Sequence, residues 1–399
     1  MEGVLSNTPH KMSVFSKSRG TLEYTTALTE VQQQTPIPQA EQELTQDQLA
    51  LGKRLFNWRT LVPLVLVIVA LLVFAQKANI DPQKTWAAMR NTNLFFFLLA
   101  FAIYYLSFGI RALRWRLLLE NVGFTKEHGV QLPHFWKLVE IIYISFFANV
   151  VVPAKLGDLY RAYLLRQEIN VSTTRSFGTV LAERLLDLII LLLLFIPAII
   201  ISLHENMPPQ LSLSLEVLLI AVVLGIAGLV VLRVAREPLA GLVPQRFRIH
   251  YYHFQEGTLG SFRRLTALVP LTVGVWLCEA LRFFFVAVSL KLIGGNLVHI
   301  VAAAIFIGLG EALLTAIPAT SGGVGLVEGG MVAMITLFYQ GPNAPNLTAA
   351  AILLDRTISL FSLLAIGAIV FFIAVGRKAT RQRIVTVPVV TKQHKGVKV

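Results

Sequence analysis

Residues 149–161, with the sequence NVVVPAKLGDLYR, decide the fold. They lie in a hydrophobic region of about residues 135–166, which Pro153 and Gly157 interrupt in the middle. Because proline removes a backbone donor and glycine permits an open turn, one continuous helix is not expected here. Arg111, Arg114, Arg116 and Lys126 precede the region, in what we expect to be a cytoplasmic loop, and Arg166 and Arg175 follow it. These basic flanks predict that both ends of the region lie at the cytoplasmic face. We therefore predict a broken-helix hairpin that returns to the face where it started.

A second broken region, about residues 298–340, contains residues 318–328 with the sequence PATSGGVGLVE. Its flanks carry only Lys291, so both of its ends are expected at the external face. An apolar segment with an adjacent acidic residue and arginine follows each broken region: Glu183 with Arg184 after the first, and Asp355 with Arg356 after the second. Two hairpins entering from opposite faces, each followed by a full span, indicate an inverted repeat.

The composition of the whole chain agrees with a membrane protein. Of its 399 residues 55% are hydrophobic and 14% are charged, whereas soluble domains carry about 25% charged residues. An ordinary soluble enzyme is therefore excluded. Segments close to the length that crosses a bilayer occur at residues 61–75, 94–110, 177–203, 211–232, 265–292 and 347–375.

We predict an all-α polytopic membrane protein with about six full transmembrane helices and two re-entrant hairpins. The alternative is eight ordinary spans, in which both broken regions cross the membrane. Residues 1–55 form a polar leader that we expect to be disordered, residues 56–376 form the transmembrane domain, and residues 377–399 form a basic tail. The positive-inside rule predicts that both termini are cytoplasmic. The net charge of +13 suits contact with anionic lipid headgroups better than binding of nucleic acid.

Ionisable residues within apolar segments are the candidates for function, because a charge inside a membrane usually faces a partner or a wet cavity. Adjacent residues point about 100° apart around a helix, so Glu183 and Arg184 cannot pair with each other and need partners elsewhere. The candidate substrate-binding residues are Asn149, Lys155, Arg161, Arg184, Ser321 and Arg356. The carboxylates expected to balance charge or carry protons are Asp158, Glu183, Asp187, Glu328 and Asp355. The residues expected to shape the helix breaks are Pro153, Gly157, Pro318, Gly322, Gly323 and Gly325.

Two structural interpretations compete with these roles. The charges can form internal salt bridges, and the glycines can serve close helix packing. We expect no metal or cofactor, because the histidines lack metal-ligand spacing and the glycine pattern follows no strand. Cys278, the single cysteine, supports neither a disulfide nor a thiolate site.

Taken together, the four motifs at residues 149–161, 183–187, 318–328 and 355–356 resemble the lysylphosphatidylglycerol synthase transmembrane domain family, also called flippase-like. This family includes the membrane half of the bacterial multiple peptide resistance factor, which moves aminoacylated phospholipids between leaflets. The resemblance covers about residues 61–375 and implies a helical domain that handles lipids in the plasma membrane. It does not imply lysyl transfer, which belongs to a separate soluble domain in the synthases and is not expected in the short segment after the last span.

The chain departs from the family pattern in two places. The first motif commonly has Arg and Glu where this chain has Lys155 and Asp158, which keeps the charges. The second commonly has Pro-Gly-Gly where this chain has Ser321, Gly322 and Gly323, which puts direct transfer of the substrate in doubt.

The function expected from these features is transport of an anionic phospholipid, or of a lipid-linked phosphate, between leaflets by alternating exposure of a charged midplane site. One alternative is an integral membrane transferase that acts on a lipid phosphate, with Asp158 or Glu183 as general base. Another is a non-catalytic scaffold for a lipid-modifying partner enzyme. The expected partners are membrane lipids and not nucleic acid.

Overall fold

The structure of the protein is a computed structural model, and it describes residues 80–152, 155–203, 209–294, 296–317, 321–341 and 343–386. The predicted leader, the predicted span at residues 61–75, Pro153 and Pro318 lie outside these residues. Helices account for nearly all of the described residues, and no strand occurs among them. The prediction of an all-α protein is confirmed.

The helices are, in chain order, α1 (Pro82–Arg90), α2 (Leu94–Asn121), α3 (Phe135–Val151), α4 (Gly157–Ile169), α5 (Thr173–Leu203), α6 (Pro209–Val234), α7 (Arg236–Leu242), α8 (Arg248–Gly260), α9 (Leu265–Ser289), α10 (Leu297–Ala316), α11 (Leu326–Thr336), α12 (Ala344–Arg356) and α13 (Ser362–Thr386). Short 3₁₀ turns occupy Lys126–His128, Gln245–Phe247, Ser261–Arg264 and Ser321–Gly323, and a π-helical turn occupies Thr357–Phe361.

Several helical segments are long and apolar enough to cross a membrane, which confirms a polytopic protein. Within the described residues they number five: Leu94–Asn121, Thr173–Leu203, Gln245–Ser289, Leu297–Ala316 and Ala344–Ala374. A sixth is added if Leu219–Val234 and Arg236–Leu242, which meet at 90°, form one bent span. The first arm of the second predicted hairpin, α10, is therefore long enough to cross by itself.

Helix α2 extends well beyond the span expected at residues 94–110, because it continues to Asn121. Arg111 and Arg114 were expected in a cytoplasmic loop, and the structure buries both inside this helix. Arg111, Arg114, Trp115 and Leu118 recur at the spacing of one helix face, which explains why the helix continues. The expectation of a loop beginning at Arg111 is wrong.

Helices α3 and α4 form the first hairpin and run antiparallel. Ser145 Oγ, in the second half of α3, donates to the carbonyl oxygen of Gly157 at the start of α4, over 2.8 Å. At the other end, Lys137 Nζ near the start of α3 lies 3.7 Å from Glu168 Oε2 near the end of α4. The start of α3 and the end of α4 therefore lie at the same end of the helix pair. The predicted hairpin requires this arrangement, whereas a segment that crosses the membrane once would have its ends at opposite faces.

Helices α10 and α11 form the second hairpin in the same way. A Cβ on Gly330 of α11 would meet the side chain of Leu314, and a Cβ on Gly310 of α10 would meet the side chain of Met334. Farther along, the rings of Phe306 and Phe338 are 5.8 Å apart. Residues nearer the start of α10 thus contact residues nearer the end of α11. The two helices are therefore antiparallel.

The same order of elements occurs twice in the chain. In each half a long helix comes first, then an antiparallel hairpin, and then a helix with the acidic residue and arginine. These elements are α2, α3, α4 and α5 in the first half and α9, α10, α11 and α12 in the second. The opposite orientation of the two halves in the membrane stays a prediction.

Close backbone contact joins α5 to α8. A Cβ on Gly178 of α5 would lie 2.7 Å from the backbone nitrogen of Thr258, and a Cβ on Gly257 of α8 would meet the carbonyl oxygen of Arg175. Each helix thus has a glycine where the other helix crosses it. Side chains at these two positions would push the helices apart.

We predict that Gly257→Ala lowers the free energy of unfolding by about 1–3 kcal/mol, the usual cost of overpacking. The matched control is Gly228→Ala in α6, where an added Cβ meets nothing within 4 Å. That change should stabilise the helix slightly, since alanine forms helices better than glycine. Thermal unfolding of the purified variants in detergent measures both effects, and equal midpoints for the two variants would contradict the close crossing.

Candidate functional site

The two hairpins meet at their broken ends. A Cβ on Gly322 would lie 3.2 Å from Val150 Cγ1 at the end of α3 and 3.0 Å from Leu360 Cδ1. The φ angles of Gly322, Gly323 and Gly325 are +65°, +74° and +90°, in the left-handed region that favours glycine. The glycines therefore permit a tight loop that brings the second hairpin against the first.

Lys155 has a strained backbone at the break of the first hairpin. Its φ angle is +52°, and a residue with a side chain in the left-handed region costs roughly 1–2 kcal/mol. Such outliers concentrate at functional sites. Lys155 lines the cavity between the hairpin ends, as described below.

Arg114 of α2 is the centre of the first charge network. Its side chain is fully buried, and its guanidinium donates to Glu183 over 2.7 Å and to Asp187 over 2.5 Å. It also donates to Thr272 Oγ1 of α9 over 3.2 Å. On the far side of Glu183, Arg161 Nη1 lies 3.1 Å from Oε2, and its guanidinium lies 4.0 Å from the Trp115 ring centroid. The network ties α2, α4, α5 and α9 together.

Arg184 takes its hydrogen-bond partner from the first hairpin, while its Nη1 also lies 3.6 Å from Asp187 Oδ2 of its own helix. Its Nε and Nη2 donate to the two oxygens of Asp158 over 2.9 and 2.8 Å, which is a bidentate pair. Asn149 Nδ2 donates to the same carboxylate over 3.0 Å. The Arg184 side chain remains 32% exposed, so it is partnered and still accessible.

Arg282 of α9 is the centre of the second network. It donates to Glu311 of α10 over 2.7 Å, to Asp355 of α12, and to Glu279 of its own helix over 3.3 Å. Arg111 of α2 donates to the other oxygen of Glu279 over 2.7 Å. This network joins the long helices of both halves to the second hairpin.

Arg356 connects the second network to the broken end of the second hairpin. Its Nε lies 2.9 Å from Glu328 Oε1, and its Nη1 lies 3.8 Å from Glu311 Oε1. The second oxygen of Glu328 accepts from the backbone nitrogen of Gly325 over 2.5 Å. Glu328 therefore caps α11 and pairs with Arg356 at the same time.

The two networks correspond to each other in sequence. Arg114 precedes its partner Glu183 by 69 positions, and Arg282 precedes its partner Asp355 by 73. In both cases an arginine of the long first helix pairs with the acidic residue that stands directly before Arg184 or Arg356. The duplicated order of elements thus extends to the ion pairs.

A cavity of about 160 Å³ lies between the two hairpins and the long helices. This volume holds on the order of ten waters, at roughly 10–15 Å³ for each. Cations outnumber carboxylates on its wall. The cations that line the cavity are Arg111, Lys155, Arg184, Arg282 and Arg356, and the carboxylates that line it are Glu279 and Glu311.

Most of the carboxylates stand behind this wall. Asp158, Glu183, Asp187, Glu328 and Asp355 pair with the cations and do not line the cavity. The residues of the two networks and Lys155, which lines the cavity, together carry equal numbers of formal charges of opposite sign. The cations are Arg111, Arg114, Lys155, Arg161, Arg184, Arg282 and Arg356, and the anions are Asp158, Glu183, Asp187, Glu279, Glu311, Glu328 and Asp355. The site as a whole is neutral while its inner surface is cationic.

The predicted site residues fall into three groups. Asn149, Lys155, Arg184, Arg356, Gly322 and Gly323 line the cavity. Arg161, Glu183, Asp187 and Asp355 are buried behind it, and Asp158, Glu328, Gly157 and Gly325 hold the hairpins next to it. Ser321 begins the 3₁₀ turn of the second hairpin, whereas Pro153 and Pro318 lie outside the described residues. The part that each residue plays toward a substrate stays a prediction.

The site also contains residues that the candidate set lacks. Arg111, Arg114, Glu279, Arg282 and Glu311 all belong to the networks. Arg114 was missed because the basic cluster at residues 111–116 has the composition of a cytoplasmic loop. The helical spacing of Arg111, Arg114, Trp115 and Leu118 was a signal in favour of a continued helix, since a loop has no reason to repeat it.

Comparisons with known proteins agree with this architecture. A family model described as the lysylphosphatidylglycerol synthase TM region matches residues 61–373. The UPF0104 membrane protein MJ1078 of Methanocaldococcus jannaschii is 31% identical over 234 residues, which cover 57% of this chain and 94% of that protein. A UPF0104 membrane protein of Methanothermobacter thermautotrophicus is 25% identical over 330 residues, with 76% and 93% covered.

A third relative has the name of an enzyme. Glycosyltransferase AglD of Haloferax volcanii is 29% identical over 143 residues, which cover 36% of this chain and 22% of that protein. No solved structure matches the chain.

We predict that Arg114→Ala greatly reduces the yield of folded protein. The change leaves Glu183 and Asp187 without their central partner, and breaking a buried pair in this way typically costs about 3–5 kcal/mol. Arg116→Ala is the matched control, because Arg116 lies on the same helix with a side chain that is 48% exposed and a surface pair contributes about 0–1 kcal/mol. Size-exclusion profiles and unfolding midpoints in detergent distinguish the two. If both variants behave alike, the first network does not carry the fold.

Proposed function

The chain belongs to the lysylphosphatidylglycerol synthase transmembrane family, and we propose that it transports an anionic phospholipid or a lipid-linked phosphate between membrane leaflets. The observation that carries the proposal is the separation of charge at the cavity, where cations face inward and carboxylates stand behind them. A phosphate entering the cavity meets guanidinium groups, which bind phosphate oxygens in pairs. The site remains neutral without a ligand, so it needs no permanent counter-ion.

Arg184 and Arg356 are the cations best placed to hold the phosphate. Both line the cavity, and they come from the two corresponding halves. Each is paired with a carboxylate of a hairpin, Asp158 for Arg184 and Glu328 for Arg356. A phosphate that replaces one of these carboxylates releases a hairpin end, which provides a way to couple binding to a change in exposure. Lys155 lines the same cavity.

An apolar groove next to the cavity supports an amphiphilic substrate. The groove has a volume of about 520 Å³, and α1, α11 and α12 line it with side chains that include Trp86, Val332 and Ile352. Glu328 also lines this groove, and its partner Arg356 lines the polar cavity. One ion pair therefore stands between a space suited to a charged headgroup and a space suited to a hydrocarbon chain.

We further propose that the protein resides in the plasma membrane with both termini in the cytoplasm. The basic residues that flank the first hairpin and the basic tail support this orientation. The membership of the family supports the location.

A transferase acting on a lipid phosphate is the second candidate, and the name of the relative AglD favours it. The geometry gives it less support. A general base needs a carboxylate free to take a proton, whereas Asp158 accepts from Arg184 and Asn149, and Glu183 accepts from Arg114 with Arg161 at 3.1 Å. Both carboxylates are held by cations, so transport is the first proposal.

Proteoliposomes with purified protein test the proposal, using headgroup-labelled phosphatidylglycerol, its aminoacyl derivative and a polyprenyl phosphate as probes. We predict that Arg184→Gln and Arg356→Gln each slow movement of the transported probe by roughly tenfold or more, since hydrogen bonds to charged groups contribute about 1.5–3 kcal/mol. Arg116→Gln, on the exposed side of α2, should move lipid at the wild-type rate.

Mass spectrometry of the same lipids separates the alternatives. A chemically altered lipid would identify a transferase. Normal movement by both cavity variants would show that the cavity cations do not bind the substrate. If folded wild-type protein moves none of the probes and alters none of them, transport of these lipids is excluded, and the scaffold interpretation remains together with a transferase whose group donor the vesicles lack.

The groove gives a separate prediction. Ala349 lines the groove, so Ala349→Phe should fill part of its volume. Movement of long-chain probes should slow several-fold, because less of the hydrocarbon chain can be buried in the groove. Ala227→Phe, at an exposed position of α6, is the matched control and should have no effect. Binding of glycerol phosphate, which has no hydrocarbon chain, should be the same in both variants, and a loss of that binding in Ala349→Phe would mean that the cavity itself is distorted.

A further inference from the structure

A second polar cavity lies away from the hairpins, where α5 and α8 cross near the ends of α2 and α6. Its volume is about 370 Å³, and it shares no lining residue with the cavity between the hairpins. Along α5 the two cavities are separated by nine residues, from Arg175 at one to Arg184 at the other, or roughly 13 Å at 1.5 Å per residue. The second cavity is therefore a distinct place on the molecule.

Four arginines from different elements face this second cavity. They are Arg175 of α5, Arg233 at the end of α6, Arg236 at the start of α7, and Arg263 of the 3₁₀ turn before α9. Glu256 is the one carboxylate on the wall, and it pairs with Arg175. Among the described residues no carboxylate lies within ion-pair distance of the other three arginines. The cavity thus has uncompensated positive charge, unlike the neutral site between the hairpins.

The frame around these arginines is held in place by close contacts. The glycine crossing of α5 and α8 brings Arg175 next to Gly257. Gln255 Nε2 of α8 donates to the carbonyl oxygen of Leu232 over 2.5 Å, which fixes the end of α6 that carries Arg233. Asn121 Nδ2 at the end of α2 donates to the carbonyl oxygen of Ser261 over 2.8 Å, next to Arg263. The arginines converge because their helices are tied together.

Apolar side chains beside the cavity indicate that it lies at a membrane surface. Val234 and Leu242, which follow Arg233 and Arg236, are 78% and 82% exposed. Between them the chain bends by 90°, from the apolar α6 into the short α7. Exposed apolar residues alternating with arginines are typical of the boundary between hydrocarbon and water, where lipid phosphates lie.

We propose that this cavity is a second anion site, which binds the phosphate of an anionic lipid headgroup. The three guanidinium groups, which have no carboxylate partner in the described part of the chain, supply donors and charge, and basic pockets between helices at a membrane surface suit this ligand. Arg175 is already paired with Glu256, so Arg233, Arg236 and Arg263 are the phosphate ligands. The proposal is independent of lipid transport, since it uses none of the residues of the first cavity.

Calorimetric titration of the purified full chain in dodecyl maltoside tests this site. The probes are dioctanoyl phosphatidylglycerol, dioctanoyl phosphatidylcholine and inorganic phosphate. Arg233→Gln/Arg236→Gln/Arg263→Gln should weaken binding of phosphatidylglycerol by about tenfold or more, since the phosphate loses three charged ligands. Arg116→Gln/Arg246→Gln/Arg264→Gln removes the same charge from exposed arginines off the cavity, and its affinity should stay within about twofold of wild type.

Repeating both titrations with Arg184→Gln added removes the contribution of the first cavity, so a failure of the transport proposal does not affect the result. The substituted arginines of the second cavity pair with no described carboxylate, and unfolding midpoints of the variants should match wild type. Equal weakening in both triple variants would show that binding follows net charge, which overturns the proposal. Equal affinity for phosphatidylcholine would also overturn it. Inorganic phosphate that binds as tightly as phosphatidylglycerol, and loses affinity in the same variant, would assign the site to a free phosphate instead of a lipid.

Discussion

Arg114 and Arg282 are enclosed among helices, and each is bonded to carboxylates from helices far away in the sequence. Taking such a charge out of water costs several kcal/mol, and the cost is recovered only when partners with good geometry surround it. The positions of α5 and α12 are therefore constrained, because each must present its acidic residue to the arginine of α2 or α9. The hairpins, the cavity and the close helix crossings are built around these two centres.

The hairpins satisfy the same constraint at the edge of the cavity. Gly157 lies so close to α3 that a Cβ would be 2.6 Å from Asn149 Oδ1, and this approach places Asp158 against both Asn149 and Arg184. In the second hairpin, Glu328 can reach Arg356 because the chain turns through glycines at positive φ before α11 begins. Backbone shape at the breaks thus determines which carboxylate each cavity arginine meets.

The sequence is sufficient to predict the helical class, both hairpins, and that Glu183, Arg184, Asp355 and Arg356 have charged partners elsewhere in the chain. These follow from local signals, namely apolar length, interrupted helices and charge within apolar segments. The partners do not follow, because they are set by tertiary contacts across 69 and 73 positions. Arg114 shows the limit clearly, since positive charge after a span predicts a cytoplasmic loop, while helix periodicity predicts a buried face. Burial beside Glu183 decides between them, and no single-chain pattern contains that information.

The charges of the site divide into a fixed set and an exchangeable set. The Arg114 side chain is fully buried, with acidic partners that are also buried, so exchanging them for a ligand would break two buried ion pairs in a low dielectric. Arg184 is 32% exposed and faces one carboxylate of a hairpin end, so a phosphate can take the place of that carboxylate while water reaches both. In the proposed transport, the same carboxylate takes the arginine back when the ligand leaves, which restores the neutral site. A site with this division suits the proposed transport, in which the fold stays constant while the hairpin ends respond to an anion, as movement of a charged headgroup through a membrane requires.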